Sequence, residues 1–303
     1  MNKVRIRSPW SQLALFLFVL GIGWIIAILA GGIIMVSTIG IEGMKNLNLA
    51  DPRYTPTLKV IQAISTVIIF GFPAFVYAFR TFREHPLENL GFRPAPRAGL
   101  YLVAILLLFC SLPFEGWLGQ INKGIPLPAW IIRREVEADQ QIAAFLKAGT
   151  TLEVVINVFI IALLPAIFEE ACFRGALQRI LINIFKNPWT GIIVTAVFFS
   201  AFHFQFQGFL PRFFLGALLG AVYWYTGSLW ASIVAHFFTN GIQVLAVIYY
   251  PQLINENPSI PIYTALISLV IVVGLLYWLR KQSTVTYAQV YPPLTEDFDG
   301  FPT

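Results

Sequence analysis

The chain has 303 residues, of which 57% are hydrophobic and only 12% are charged, with a mean hydropathy of +0.73. A soluble globular domain of this length cannot bury so much apolar surface, so the composition predicts a polytopic membrane protein. The net charge of +5 is not concentrated in a basic stripe interleaved with exposed aromatic residues, so nucleic acid is not an expected partner.

Apolar runs long enough to cross about 30 Å of hydrocarbon predict an all-α fold, a polytopic membrane helical bundle with about eight transmembrane helices. The fifth and sixth runs are short and contain polar residues, so a seven-span or re-entrant arrangement is also compatible with the sequence. In chain order the runs are 11–36, 58–80, 98–118, 151–172, 188–204, 210–225, 229–249 and 261–279.

Basic residues set the expected orientation in the membrane. Lys3, Arg5 and Arg7 precede the first apolar run, and an N-terminus inside the cell places twelve basic residues on the cytoplasmic side against eight outside. The positive-inside rule therefore favours cytoplasmic N- and C-termini. Because the loops carry no sign of organelle targeting, the expected location is the plasma (cell inner) membrane of a bacterium.

Glu169 and Glu170 follow an apolar run at 154–168, and paired carboxylates at membrane depth are candidates for a functional site. Neighbours on a helix point about 100° apart, so the two cannot share one role. Arg174 lies four residues after Glu170, the spacing of an ion pair on one helix face. We interpret Glu170 and Arg174 as that pair, which leaves Glu169 for general-base work. Alternatively, both carboxylates are solvated at the cytoplasmic end of a span.

Two further polar pairs have helical spacing. Phe199 and His203 are four residues apart, and a neutral His203 can share a water molecule with Glu169. A straight fifth span would carry His203 away from Glu169, so the site requires a tilted or broken fifth segment. His236 and Asn240 share one helix face and can stabilise the oxyanion that forms when water attacks an amide carbonyl. The alternative is ordinary hydrogen bonding within a helix bundle, but the three pairs together favour a site.

The motifs resemble those of the CPBP intramembrane proteases, which include the type II CAAX prenyl endopeptidases and bacterial proteins of the Abi or bacteriocin-immunity type. The three matching motifs are Glu169-Glu170-x-x-x-Arg174, Phe199-x-x-x-His203 and His236-x-x-x-Asn240. The resemblance covers about 151–249. It implies an eight-helix membrane fold with a polar cavity open towards the cytosol, and a glutamate-dependent peptide hydrolysis that uses neither a metal ion nor another cofactor.

The resemblance also assigns roles to individual residues. Glu169 would be the general base, and His203 would be its partner in activating water. His236 and Asn240 would stabilise the oxyanion. The supporting residues would be Glu170, Arg174 and Phe199. The expected partners are the lipid bilayer and a peptide or membrane-protein substrate, which the sequence does not name, and the oligomeric state is open.

Three alternatives to this function remain at the level of sequence. A zinc-dependent membrane protease is the nearest, because Glu169, His203 and His236 are residue types that bind zinc. However, the His-Glu-x-x-His helix of many zinc proteases is missing. A non-catalytic immunity or scaffold protein would keep the motif residues for packing. A small transporter would use Glu169 as a proton carrier, but the sequence lacks two inverted halves of comparable hydropathy.

These observations divide the chain into four regions. Residues 1–150 are predicted to form N-terminal transmembrane helices and loops, and 151–249 a CPBP-like catalytic helical core. Residues 250–281 are predicted to contain the last transmembrane helix, and 282–303 a flexible cytoplasmic tail. Within 119–150, mixed apolar and charged residues predict a short amphipathic helix on the membrane surface.

Overall fold

The fold, taken from a computed structural model, is described for residues 4–45, 47–49, 51–254 and 259–285. Within these ranges the regular elements are helices, and the only extended pairing is an isolated bridge between Val4 and Phe82. The all-α prediction is therefore confirmed. The helices are α1 Pro9–Met44, α2 Pro52–Thr81, α3 Pro86–Leu90, α4 Gly99–Lys123, α5 Ala129–Leu146, α6 Thr151–Phe185, α7 Pro188–Ala201, α8 Phe209–Thr226, α9 Leu229–Tyr249 and α10 Ile262–Gln282, with a short 3-10 helix at Pro251–Ile254.

Within the described ranges six helices, α1, α2, α4, α6, α9 and α10, are long and apolar enough to cross a membrane, as expected of a multi-pass membrane protein. The predicted fifth and sixth spans correspond to α7 and α8, which are not among those six. α7 has 14 residues, a length of about 21 Å that falls short of the hydrocarbon thickness. α8 has 18 residues but carries Arg212 near its start. The count of eight full spans is therefore not confirmed.

The fourth predicted span is longer than its apolar run, because α6 continues through the charged motif to Phe185 and has 35 residues. Glu169 and Glu170 therefore lie in the middle of a helix. Glu170 is 0% exposed and Glu169 is 8% exposed. The alternative of two solvated carboxylates at the end of a span is wrong, since the helix and its packing continue beyond them.

A tight turn joins α6 to α7. Lys186 adopts a left-handed conformation with φ 54° at the end of α6, and the side chain of Asn187 accepts a 3.0 Å hydrogen bond from the Thr190 amide at the start of α7. The two helices consequently pack as an antiparallel hairpin. His203 and Glu170 lie similar numbers of residues from this turn, which brings them to a similar depth. A straight α7 therefore carries His203 towards Glu170, and the tilted or broken fifth segment expected from the sequence is not needed, because the paired glutamates lie in the middle of α6.

Glycines allow α8 to pack closely against α6. Arg174 Nη2 donates a 3.0 Å hydrogen bond to the carbonyl of Gly216, and one turn further Gln178 Nε2 donates a 3.1 Å bond to the carbonyl of Gly220. A Cβ atom on Gly220 would lie only 2.7 Å from Gln178 Oε1. The glycine face of α8 thus serves packing within one bundle, as small residues commonly do in membranes.

The regular helix of α6 is interrupted by two π-helical stretches, Val158–Leu163 and Ala171–Gln178, on either side of Leu164–Glu170. Pro165 lies at the start of that regular stretch and has no N–H to donate to the preceding turn. Stretches of π-helix often mark functional sites. Here they flank the paired glutamates.

The helix ends fall on two opposite faces of the bundle. We call one the basal face, which contains the first residue of α1, α4 and α9 and the last residue of α2, α6, α8 and α10. Hydrogen bonds that join its segments include Arg5 N to Thr81 O at 2.7 Å, Arg97 Nη1 to Gln282 Oε1 at 2.6 Å, and Ser283 Oγ to Tyr225 O at 2.7 Å. The opposite face, which we call the loop face, contains α5 and the segment 202–208.

Two hydrophobic clusters form the interior. One joins α1, α2 and α6, and the other joins α4, α8, α9 and α10. Helices from before residue 151 therefore pack into the same bundle as those after it. The boundaries of the four predicted regions remain predictions. Most of the predicted tail, from residue 286 onward, lies outside the described residues.

Candidate active site

The predicted ion pair between Glu170 and Arg174 is present in the interior of the bundle. Glu170 Oε1 lies 3.0 Å from Arg174 Nη1, and both side chains are fully buried. The Arg174 guanidinium also lies over the ring of Phe199, with its carbon 4.4 Å from the ring centroid. A buried charge is tolerated only when it is paired. These contacts and the bond to Gly216 therefore hold Arg174 in place.

The same Glu170 oxygen joins α6 to α9. His236 Nδ1 lies 2.9 Å from Glu170 Oε1, and the imidazole is 2% exposed. An ionised carboxylate only accepts hydrogen bonds, so Nδ1 carries the hydrogen when Glu170 is ionised. The position of Nε2, the other ring nitrogen, is thereby fixed by a carboxylate behind it. In serine hydrolases a carboxylate orients the catalytic histidine through Nδ1 in the same way.

His203 lies just after the end of α7, on the surface of the bundle. Its Nδ1 atom is 2.9 Å from the carbonyl oxygen of Phe199. Because a carbonyl can only accept, Nδ1 is the protonated nitrogen and Nε2 of the neutral ring carries a lone pair. The structure thus leaves His203 Nε2 able to accept a hydrogen bond from a water molecule.

Phe199 connects these side chains. Its ring meets His203 and His236 edge-on, with centroid distances of 5.2 Å and 5.9 Å, and it is 1% exposed. Arg174 covers the same ring. The second sequence motif therefore contributes an aromatic residue that fixes the spacing of two histidines from different helices.

Glu169 and Asn240 have a different environment from Glu170 and His236. Among the described residues, no hydrogen bond to either side chain is found, although Glu169 interacts electrostatically with His236, Glu170 and Arg174. Asn240 is half-buried, one turn beyond His236 on α9. The structure therefore brings Glu169 close to the buried network, while neither side chain has a hydrogen-bond partner among the described residues.

The segment 202–208, which carries His203, is held by residues that the sequence analysis did not select. Glu135 Oε1 on α5 accepts a 2.5 Å hydrogen bond from the Phe206 amide, and Asn122 Oδ1 on α4 accepts a 2.7 Å bond from the Leu210 amide. Arg212 Nη1 donates to the Gln205 carbonyl at 3.1 Å. Gln205 and Arg212 are among the polar residues that interrupt the fifth and sixth apolar runs, and this interruption was the sequence signal that could have selected them.

Charged groups of α5 surround this segment as well. Glu135 is 6% exposed although α5 lies on the loop face. Burial raises the pKa of the nearby Asp139 carboxyl above its usual range, while the positive charges of Lys123 and Arg212 act in the opposite direction. α5 is the helix predicted in 119–150, and it packs over the segment that carries His203.

The candidate metal ligands do not form a recognisable metal centre. Within the part of the chain that the structure describes, no group of three or more His, Cys, Asp and Glu side chains is arranged to hold a metal ion. Both Nδ1 atoms of His203 and His236 already have partners in Phe199 and Glu170. A zinc ion could reach only the Nε2 atoms and Glu169.

Comparison with protein families gives one match. Residues 151–242 match the model of the family described as type II CAAX prenyl endopeptidase Rce1-like. This match confirms the resemblance drawn from the three motifs and covers all the candidate site residues from Glu169 to Asn240. Comparison with curated proteins and with solved structures found no match.

The match supports a coarse class for the protein. The family is one of membrane endopeptidases of the CAAX type, and the segment that matches it lies within a bundle of apolar helices. The family model covers about a third of the chain, from the start of α6 into α9.

Proposed function

We propose that this protein is an intramembrane glutamic endopeptidase, which hydrolyses a peptide bond without a metal ion or another cofactor. The observation that carries the proposal is the contact between Glu170 and His236, 2.9 Å long, which joins α6 and α9 inside the family-matched segment. A carboxylate that orients a buried histidine beside a second, unbonded carboxylate is an arrangement suited to general acid–base chemistry.

Glu169 is the general base in this mechanism. Its carboxylate removes a proton from a water molecule, whose second hydrogen is held by the lone pair of His203 Nε2. The oxygen of that water forms a bond to the carbonyl carbon of the substrate. Such positioned proton transfer contributes about 10²–10⁴-fold to the rate.

His236 and Asn240 stabilise the oxyanion that results. With Nδ1 donating to Glu170, a protonated His236 directs its Nε2–H towards the substrate oxygen, and the negative charge of Glu170 stabilises this imidazolium. The Asn240 amide supplies the second donor. In this scheme Glu170 orients His236, and Arg174 balances the negative charge of Glu170. Both supporting residues therefore act through His236.

Collapse of the tetrahedral intermediate completes the reaction. The proton now on Glu169 passes to the amide nitrogen as the carbon–nitrogen bond breaks, which yields a new carboxyl group and a new amine. Glu169 returns to its ionised form. No oxidant, reductant or further reactant is required.

The proposed setting is the plasma membrane of a bacterial cell, with both termini cytoplasmic and a peptide or membrane-protein segment as substrate. Two rival functions make different predictions. A zinc protease with Glu169, His203 and His236 as ligands would lose activity with a chelator. A scaffold or immunity protein would bind without cutting.

The experiment is cleavage of a pooled library of peptides and membrane-protein segments by the purified full-length protein. Wild type, Glu169→Gln and chelator-treated wild type are compared. Glu137→Gln is the matched control, because Glu137 is an exposed carboxylate on α5. We expect cleavage that survives chelation and Glu137→Gln but is lost in Glu169→Gln. Loss with chelator would favour zinc, and absence of cleavage by folded wild type would contradict the proposal.

A further inference from the structure

We infer that Arg212 is a positioning residue of the proposed reaction: it fixes the segment 202–208, which carries His203, and its positive charge keeps the His203 ring neutral. The inference rests on the proposed function, in which His203 Nε2 must carry a lone pair to hold the attacking water. Arg212 belongs to none of the three sequence motifs. Its hydrogen bonds, its close approach to a glycine and the charges around His203 all point to this role.

The side chain of Arg212 turns back from α8 onto the segment 202–208. Arg212 lies in the first turn of α8, and its Nη1 atom donates a 3.1 Å hydrogen bond to the carbonyl of Gln205. Its Nη2 atom donates a 2.5 Å bond to Oε1 of the same residue. The rigid fork of a guanidinium thus holds the main chain and the side chain of Gln205 at once. Because Gln205 is two residues after His203, this contact fixes the chain close to the imidazole.

A glycine allows the guanidinium to lie against the backbone of the segment. A Cβ atom on Gly208 would lie 2.5 Å from Arg212 Cζ and 2.7 Å from Arg212 Nη1. Any larger residue at this position would therefore push the guanidinium away from Gln205. The segment provides both the acceptors for Arg212 and the space that it occupies.

The backbone between His203 and Gln205 is strained. Phe204 has φ 53°, a left-handed conformation that is unfavourable for a residue with a side chain. Such conformations persist only where surrounding contacts hold them, and they occur often at functional sites. On one side His203 Nδ1 lies 2.9 Å from the Phe199 carbonyl oxygen, and on the other Arg212 holds Gln205. Without the Arg212 contacts the strained turn can relax, and His203 moves with it.

The charges that act on His203 are positive. They belong to Arg212, to Arg174 and, when it is protonated, to His236, and Arg212 acts most strongly among them. A positive charge nearby disfavours the addition of a proton to an imidazole. The ring therefore keeps the lone pair on Nε2 that the proposed mechanism uses.

Carboxylates on two helices surround Arg212 itself. Glu135 and Asp139 on α5 and Glu169 on α6 interact electrostatically with its guanidinium. An arginine stays protonated in proteins, so the charge of Arg212 is permanent. The same charge favours the ionised form of Glu169. One cation thus supports both protonation states that the mechanism requires, an ionised base and a neutral histidine.

Two substitutions separate the charge of Arg212 from its geometry. Arg212→Lys keeps the positive charge but cannot reproduce the planar fork. Arg212→Gln removes the charge, although its amide can still donate a hydrogen bond. Arg133→Gln, at an exposed arginine of α5, is the matched control. The unfolding temperature of each purified full-length variant is measured in detergent.

Titration of His203 tests the effect of the charge without any need for catalysis. The chain has three histidines, so protein labelled at histidine alone gives ring signals that can be followed by NMR, and His203→Asn identifies the signal of His203. We expect Arg212→Gln to raise the pH at which His203 becomes protonated by about one unit. Arg212→Lys and Arg133→Gln should leave it close to the wild-type value, and His85 should not change in any variant. An unchanged His203 in Arg212→Gln, or an equal rise in Arg212→Lys, would overturn the inference.

Gly208→Ala provides a second test if Arg212→Gln does not fold. The added Cβ atom displaces the guanidinium without removing it. We expect a smaller rise in the pH at which His203 becomes protonated. An unchanged titration of His203 in this variant would also contradict the inference.

The pH profile of kcat on one cleaved peptide tests the positioning role. We expect the acid limb of the profile to move to higher pH in Arg212→Gln. Arg212→Lys should lower kcat about 10-fold or more at every pH without moving the limb, because the charge remains but the fork is lost. A limb that moves in neither variant would contradict the role of the charge, and a wild-type kcat in Arg212→Lys would contradict the role of the fork. If wild type cleaves no peptide, the proposed function fails, whereas the titration still decides whether Arg212 keeps His203 neutral.

Discussion

His236 Nδ1 lies 2.9 Å from Glu170 Oε1, and this contact joins α9 to the middle of α6. Glu170 simultaneously lies 3.0 Å from Arg174 Nη1. One buried carboxylate oxygen therefore holds both a histidine from another helix and the arginine one turn further along its own. Stability and the proposed chemistry depend on the same atom.

Replacing Glu170 tests this double role. Glu170→Gln leaves Arg174 buried without a counter-charge, and breaking a buried pair in this way costs about 3–5 kcal/mol in proteins generally. We expect a clear fall in thermal stability in detergent together with lower kcat, since His236 loses its orienting carboxylate. A variant as stable as wild type would contradict the structural role. Glu137→Gln should leave the unfolding temperature unchanged.

His203→Asn separates the structural contact of His203 Nδ1 with the Phe199 carbonyl from the proposed role of Nε2 in holding water. An asparagine amide at this position can still donate to the Phe199 carbonyl, but it lacks the lone pair of Nε2. We therefore expect the unfolding temperature to stay near that of wild type while kcat falls by about 10²–10⁴-fold. His85→Asn, at an exposed histidine of the loop before α3, is the matched control and should leave kcat unchanged. Full activity in His203→Asn would remove His203 from the mechanism.

The packing of α8 on α6 predicts the effect of a single methyl group. A Cβ atom at Gly220 would lie 2.7 Å from Gln178 Oε1 and 2.9 Å from Ile192 Cγ2, so Gly220→Ala must shift these side chains, of which Gln178 is held by its hydrogen bond to the Gly220 carbonyl. We expect a loss of about 1–3 kcal/mol in unfolding free energy. Gly274→Ala on α10, where nothing lies within 4 Å of the added atom, should be neutral or slightly stabilising. Equal unfolding free energies of the two variants would show that α8 packs less closely on α6 than described.

The anchor of the segment 202–208 predicts a kinetic effect. Glu135→Ala removes the acceptor of the Phe206 amide hydrogen bond, whereas Glu135→Gln keeps an oxygen in reach. We expect Glu135→Ala to lower kcat, because His203 is no longer held at a fixed distance, and to make the segment more sensitive to limited proteolysis. Glu135→Gln should retain most of the activity. Identical kinetics in both variants would assign the segment's position to its other contacts.

The fold class and the ion pair were predictable from local sequence. Apolar runs predict helices, and the spacing of Glu170 and Arg174 predicts their pairing. The length of α6 was not predictable in this way, because a hydropathy pattern ends at the charged motif, whereas the helix continues where the charges are neutralised by tertiary contacts. The shortness of α7 was indicated by its polar residues.

Contacts between residues far apart in the chain are the main part of the site that the sequence could not predict. Spacing placed His236 on the same helix face as Asn240 but could not indicate that its Nδ1 meets Glu170. The sequence did not indicate that Glu135 and Asn122 bind the backbone of another segment, because a carboxylate or amide that does so looks like any other polar residue. The similar depth of Glu170 and His203 required the antiparallel arrangement of α6 and α7, which spacing along the chain does not show.

The central claim is that Glu169 is the general base of a metal-free hydrolysis. The most direct measurement is kcat of purified wild type and Glu169→Gln on one cleaved peptide, with chelator present throughout and the unfolding temperature measured in parallel. The account predicts a loss of at least about 10²-fold in a variant that folds as wild type does. A folded Glu169→Gln that retains wild-type kcat would contradict it.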